Sequence, residues 1–354
     1  MSKEAKLLAS SYFMVHFFVE IICFTLITQF MIFKDAVLLS LVFDFFAFVP
    51  QIFFGLINTK FKTLDLGTIG VLLMFIGLLI FNLEDTTKLI ISMIFIGLGN
   101  SILHECGAIS TVVTGNGKLF PSALFVSGGS FGLVLGKYLG KIIKSKWSML
   151  LPLILIEIIV LSTKKYWVYD DVTYPKYNIT KKELAPTVII SVATFITFAR
   201  SFIGYAIPIS WNKSVWQTFL LFSLMGIGKA FGGYISDKYG AKITGILTTL
   251  ICIPFLILGE NLMIVSIIGV FLFSMTMSIT YGMLLSVIRD NPGIAFGFTT
   301  IGLFLGLMPV FLFGSFTRLT NNILIVLLSI CSSIGFNKTL IGGKKSNEKN
   351  IKEI

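Results

Sequence analysis

Four uncharged stretches, 66–83, 261–288, 291–317 and 319–337, constrain this chain more than any other feature. Each reaches or exceeds the ~18 apolar residues that a bilayer-spanning helix needs. Buried helices of soluble domains are rarely so long and so free of charge. The runs are continuous rather than alternating, which excludes an outer-membrane barrel, because in lipid only helices and closed barrels satisfy every backbone group. The composition agrees: 55% of residues are hydrophobic, 13% are charged and the mean hydropathy is +0.93. The sequence predicts an all-α membrane protein.

Breaks at polar, Gly and Pro residues divide the chain into twelve transmembrane helices, at roughly 8–33, 36–57, 65–83, 87–113, 120–143, 147–163, 186–209, 214–236, 242–259, 262–288, 293–316 and 320–337. The first run imitates a signal peptide. It continues past Phe30, carries His16 and Glu20 and lacks a small-residue cleavage site, so it reads as the first membrane helix. The longest hydrophilic stretch, 164–183, cuts the chain near its middle. The expected organisation is a six-helix half at 1–163, a cytoplasmic linker at 164–185, a second six-helix half at 186–341 and a cytoplasmic tail at 342–354.

Basic residues set the orientation. Of the 28 Lys and Arg, 18 fall on the side holding both termini and the linker, and 7 on the other; Lys137, Arg200 and Lys229 lie within spans. Positive loops stay inside, so both termini are expected in the cytoplasm of a multi-pass inner-membrane protein. The net charge of +11 is thus a topology signal, and nucleic acid is not an expected partner. Cys23, Cys106, Cys252 and Cys331 all fall inside spans without paired spacing, which suggests neither disulfides nor a zinc site.

The two halves share a repeat. A shift of 178 residues places Gly55, Ile57, Lys60 and Gly67 on Gly233, Ile235, Lys238 and Gly245, with Phe61 on Tyr239. Parallel repeats about the membrane normal, with a substrate site near midplane between them, are a transporter architecture.

One copy of this repeat carries a motif. The stretch Gly233, Asp237, Lys238, Gly240 and Lys242 resembles the cytoplasmic signature of the major facilitator superfamily, G-x-x-x-D-R/K-x-G-R/x-K. The resemblance implies a pseudo-symmetric fold of two six-helix halves, in which these residues form a conformational latch. Asp237 can face a helix N-terminus or a cation there. In the first-half copy, Thr59 replaces the Asp and Lys62 replaces the Gly, which predicts a weaker latch.

Within that superfamily the first ~140 residues resemble the fosmidomycin resistance protein family on three points. These are His16 followed by Glu20, the glycine-led stretch from Gly97 to His104, and the segment from Ser122 through Gly128, Gly129 and Gly132. The sequence departs where His104-Glu105-Cys106 replaces His-Pro-Glu. It departs again where Lys137 takes the Pro position of Gly132-x-x-x-Gly136-Pro-x-x-Gly140, a pattern typical of drug/proton antiporters. Gly128, Gly132, Gly136 and Gly140 read as helix-packing positions.

Ionisable side chains inside membrane helices cost about 2.5–3.5 kcal/mol on insertion scales, so each is a functional candidate. His16 and Glu20 are four apart and share a helix face, a proton-coupling arrangement when the acid is withdrawn from water. Asp44 and Glu105 are further proton-coupling candidates. Arg200, His104 and Lys137 are candidate substrate contacts, Arg200 because its fixed fork suits a carboxylate or phosphonate. Arg200 can alternatively pair with Asp44, Glu20 or Glu105. Lys137 and Lys229 can snorkel to opposite membrane faces, and Glu157 reads as structural. The glycines around Lys118 and Lys229 lack phosphate-loop spacing. No cofactor is expected. The two histidines can hold a metal only with nearby carboxylates, and spacing alone supplies no metal set.

The expected function is secondary active transport by alternating access: a monomer that exports a small amphipathic or anionic molecule, coupled to protons and embedded in the lipid bilayer, not an enzyme. The alternatives are import or facilitated passage of a metabolite such as an organic acid and, more distantly, an embedded enzyme or a sensor.

Overall fold

The computed structural model describes residues 2–31, 35–61, 64–166, 173–314 and 316–342. Lys62, linker residues 167–172 and nearly all of the expected tail lie outside them. The described chain is helical, joined only by an isolated β-bridge between Thr180 and Leu340. Eleven helical segments are long and apolar enough to cross a membrane, and the shorter Leu66–Ile80 makes a twelfth apolar helix.

In chain order the helices are α1 (Lys3–Phe30), α2 (Ala36–Phe48), α3 (Gln51–Lys60), α4 (Leu66–Ile80), α5 (Thr86–Val113), α6 (Phe120–Ile142) and α7 (Leu150–Thr163) in the first half. The second half has α8 (Pro186–Ala206), α9 (Val215–Tyr239), α10 (Ala241–Leu258), α11 (Met263–Ser274), α12 (Met277–Val287), α13 (Pro292–Phe313) and α14 (Arg318–Thr339). Two expected helices are broken. The second span divides into α2 and α3 at Pro50, whose ring removes a backbone donor and crowds the preceding turn. The tenth divides into α11 and α12 at Met275 and Thr276, where no Pro or Gly signals a break.

Side-chain anchors fix several ends. Asp65 caps α4 by accepting from the Thr68 N–H at 3.2 Å, and its other oxygen accepts from Lys164 Nζ at 2.6 Å, which ties the start of the linker to the first half. Glu157 accepts from Thr68 Oγ1 at 3.0 Å beside that cap, a structural placement.

The tightest pairing is α1 with α6. Gly128, Gly132, Gly136 and Gly140 form one stripe on α6, and a Cβ at these positions would collide with the backbone oxygens of Phe13, Phe17, Ile21 and Thr25 respectively. Small residues let the two backbones approach this closely. Gly132→Val should therefore destabilise the first half by about 1–3 kcal/mol, because backbone cannot yield as a side-chain tip can. Thermal denaturation in detergent checks this, and an unchanged melting temperature would contradict the packing.

The halves meet most closely at one end. There the end of α9 packs on the start of α6, with Gly233 against Ala123, Phe120 and Leu119, and the end of α3 packs on the start of α13, with Gly55 against Gly293. The two contacts are the same contact made by the two copies of the repeat. At the opposite end a cavity of about 470 Å³ opens between α1, α6 and the start of α9, lined by Lys137, Lys141, Lys213, Thr28 and Thr218 among others, without a carboxylate.

Candidate functional site

Local helix geometry places His16 and Glu20 on one face of α1, one turn apart. The α1–α6 glycine packing then supplies the floor: Gly129 lies directly beneath the His16 ring, where any Cβ would strike Nε2. Helix α5 completes the group, because His104 and Asn100, also one turn apart, face the same point. His104 Nε2 stands 2.8 Å from His16 Nε2. Glu20 Oε1 stands 3.7 Å from the first ring and 3.6 Å from the second, and accepts from Asn100 Nδ2 at 3.3 Å. All three side chains are nearly excluded from solvent.

Hydrogen bonding fixes which nitrogens carry protons. His16 Nδ1 faces the Phe125 carbonyl at 3.1 Å, and His104 Nδ1 faces the Asn100 carbonyl at 2.9 Å. A carbonyl oxygen only accepts, so both Nδ1 atoms are N–H donors. In the neutral rings both Nε2 atoms then carry bare lone pairs 2.8 Å apart, the rings meeting edge-on at 74° with centroids 4.2 Å apart. That contact is repulsive until a cation enters between the rings, and Glu20 supplies the compensating negative charge.

The second half contributes cations. Lys229 on α9 lies near enough to interact electrostatically with His16, Glu20 and His104, and also with Arg200. This corrects its expected snorkelling position: it faces the inter-half site. Arg200 on α8 is buried and donates from Nη1 to the Ser274 carbonyl and Thr276 Oγ1, each at 3.2 Å, with its guanidinium over the Phe273 ring. Among the described residues no carboxylate pairs with it, so in place of the alternative pairing with Asp44, Glu20 or Glu105 it holds the polar break between α11 and α12. Each half thus ties its first span to its fourth by a polar contact, His16 to His104 in one and Arg200 to the broken helix in the other.

The remaining candidates lie apart. Asp44 on α2 interacts electrostatically with Glu20. Glu105 is fully buried, both oxygens lack a hydrogen-bond partner, and Oε1 presses on Gly293 at the α3–α13 seam, away from the histidines. Lys137 is exposed in the cavity at the open end, above the Phe24 and Phe222 rings. At the closed end both Asp237 oxygens accept backbone N–H groups at the start of α6, from Leu119 at 2.8 Å and Phe120 at 3.0 Å. Gly240, at φ 99°, adopts the left-handed turn from α9 into α10. Lys238 lies over the Tyr239 ring, and Lys242 reaches Gly342. In the other copy, Thr59 accepts from Asn291 Nδ2, the cap of α13, without a charge.

Sequence reasoning gave no role at the site to Asn100 or Gly129 and read Lys229 as a snorkelling side chain. Asn100 carried a usable signal, since it precedes His104 by one turn on the same face; the other two depend on which helices cross.

No family model and no curated protein sequence matches the chain. Solved structures do match it. The E. coli fucose:proton symporter superposes with a TM-score of 0.64 at 14% identity, over 94% of this chain and 97% of that one. The human organic anion transporter MFSD10 superposes with a TM-score of 0.63 at 10% identity, over 95% and 100%. The fold is the major facilitator fold. Within it the histidine pair joins the first and fourth spans, and Arg200 and Lys229 sit on the seventh and eighth.

Proposed function

We propose that the protein is a secondary active transporter that works by alternating access as a monomer, and that it couples proton movement to export of a small anionic or amphipathic compound. One observation carries the reading: His16, Glu20 and His104 meet at one point in the first half, Lys229 of the second half lies within electrostatic range of all three, and Arg200 lies within range of Lys229. Ionisable groups at such depth are costly and mark ion and substrate paths. The asymmetry between a sealed end and an open, basic end supports a molecule caught in one of two states.

In this reading Glu20 takes up and releases the coupling proton, the two imidazoles share it, and Arg200 with Lys229 holds the anionic substrate. Asp44 and Glu105 are secondary proton sites, and the Asp237 contact latches the cytoplasmic side. Export follows from the motif likeness to the fosmidomycin resistance proteins. Uptake is the second reading, favoured by the lysine-lined cavity at the end opposite the termini.

The test is transport by purified protein in liposomes. An imposed pH gradient should drive accumulation of an anionic substrate found by a resistance and uptake screen, and a proton-collapsing agent should abolish it. Accumulation indifferent to the gradient would overturn the coupling.

Topology has its own check. A cysteine at Thr173 should react only with membrane-permeant reagents in intact cells, and one at Thr86 should be labelled from outside. Labelling of position 173 by an impermeant reagent would invert the orientation.

A further inference from the structure

Outside the transport reading, the histidine pair is an unusual object. Two imidazoles from different helices meet edge-on and bring their Nε2 atoms together, and a carboxylate oxygen completes a triangle with sides of 2.8, 3.6 and 3.7 Å. The point equidistant from its corners is about 2.0 Å from each, the length of a Zn–N or Zn–O bond. Small outward movement of the rings would carry the two nitrogens to the wider separation of a tetrahedral ion without moving either helix.

We infer that His16 Nε2, His104 Nε2 and Glu20 Oε1 form a binding site for one divalent transition-metal ion of the zinc class. The donor set is two neutral imidazoles and one carboxylate, a combination that binds zinc and leaves one tetrahedral position open. The surroundings match what such sites require beyond their ligands. Each imidazole donates its other N–H to a backbone carbonyl, of Phe125 and of Asn100, which fixes the ring that presents the lone pair. Asn100 Nδ2 holds the same carboxylate oxygen. Gly129 leaves the space that the His16 ring occupies.

Charge defines what fills the fourth position. Glu20 neutralises one of the ion's two charges, and Lys229 adds positive potential nearby. An anionic fourth ligand, a hydroxide or a carboxylate group of a small molecule, balances this better than a neutral one. A shared proton and a metal ion use the same lone pairs, so the two occupants exclude each other. The metal site rests on the triangle and its hydrogen-bonded surroundings, and its test reads metal binding rather than transport.

The experiment uses tag-free, full-length protein in detergent, stripped of metal and titrated with Co²⁺, then with Zn²⁺. The expected result is one equivalent of Co²⁺ giving the intense visible bands of a tetrahedral ion, displaced by one equivalent of Zn²⁺. His16→Gln, His104→Gln and Glu20→Gln should each weaken binding by more than the roughly 10–100-fold that loss of an outer hydrogen-bond partner costs. Lys88→Gln, at an exposed surface ion pair, should leave it unchanged. Wild-type protein that binds no Co²⁺, binds it only with the weak bands of an octahedral ion, or binds it equally after the three substitutions would overturn the site. Should a histidine variant fail to fold, the wild-type stoichiometry and spectrum decide alone.

Discussion

Asp237→Asn should leave the protein folded, lower its turnover and expose the sealed end. The carboxylate takes two N–H bonds at 2.8 and 3.0 Å at the start of α6, so it meets two of the unsatisfied donors there and the positive end of the helix dipole across the half–half boundary. Asparagine keeps one acceptor, loses the charge and turns an NH2 group towards a donor. Removing a charge-assisted contact costs about 1–3 kcal/mol, enough to shift a two-state equilibrium by roughly 5–150-fold. Ser122 is buried just inside the contact, so a cysteine there reports on it. Its labelling rate should rise by that factor in the Asp237→Asn background, and an unchanged rate with wild-type turnover would remove the latch from the account.

Glu20→Gln should abolish gradient-driven accumulation while substrate exchange survives. The substitution is nearly isosteric, and the Gln side-chain oxygen can still accept from Asn100 Nδ2, so the packing around the histidines is retained. What disappears is a group that can lose its proton. Without the negative charge, nothing compensates the cation between His16 and His104, and each half-cycle loses its bias. Glu20→Asp keeps the charge one methylene further back and should retain part of the accumulation. Exchange of labelled substrate and accumulation under an imposed gradient, measured on the same proteoliposomes, separate the two effects. Full accumulation by Glu20→Gln would make the acid structural and pass coupling to Asp44 or Glu105.

The parts of this molecule that were legible in its sequence are those set by local physics. Long uncharged runs leave a chain in lipid no choice but helices, so twelve spans could be counted, and the repeat around Gly55 and Gly233 showed two related halves. His16 and Glu20 were legible as a pair because four residues make one turn. His104 could be picked out as an ionisable residue in a span, but nothing in its neighbourhood says that its ring reaches the ring 88 residues earlier. That contact depends on how α1 and α5 cross over α6. Lys229 was read as snorkelling from its depth on α9, and only the crossing of the halves brings it within electrostatic range of His16, Glu20 and His104. Arg200, read as a substrate contact or alternatively as the partner of an acid, donates to the Ser274 carbonyl and Thr276 Oγ1 beside a helix break that no Pro or Gly announces. Glu105, adjacent to His104, turns about 100° away on the helix and meets Gly293 in the other half.

The central claim is that the two ends of one boundary open in alternation, and paired accessibility reporters test it most directly. In a Cys331→Ser background, where the remaining native cysteines are buried, single cysteines would replace Thr28 in the open cavity and Ser122 inside the sealed end. Labelling rates of both are then measured in proteoliposomes before and after imposing a pH gradient with substrate present. The account predicts reciprocal change, one rate falling as the other rises, and predicts that Glu20→Gln suppresses the response to the gradient. Rates that stay fixed under every condition, or that rise and fall together, would contradict alternating access.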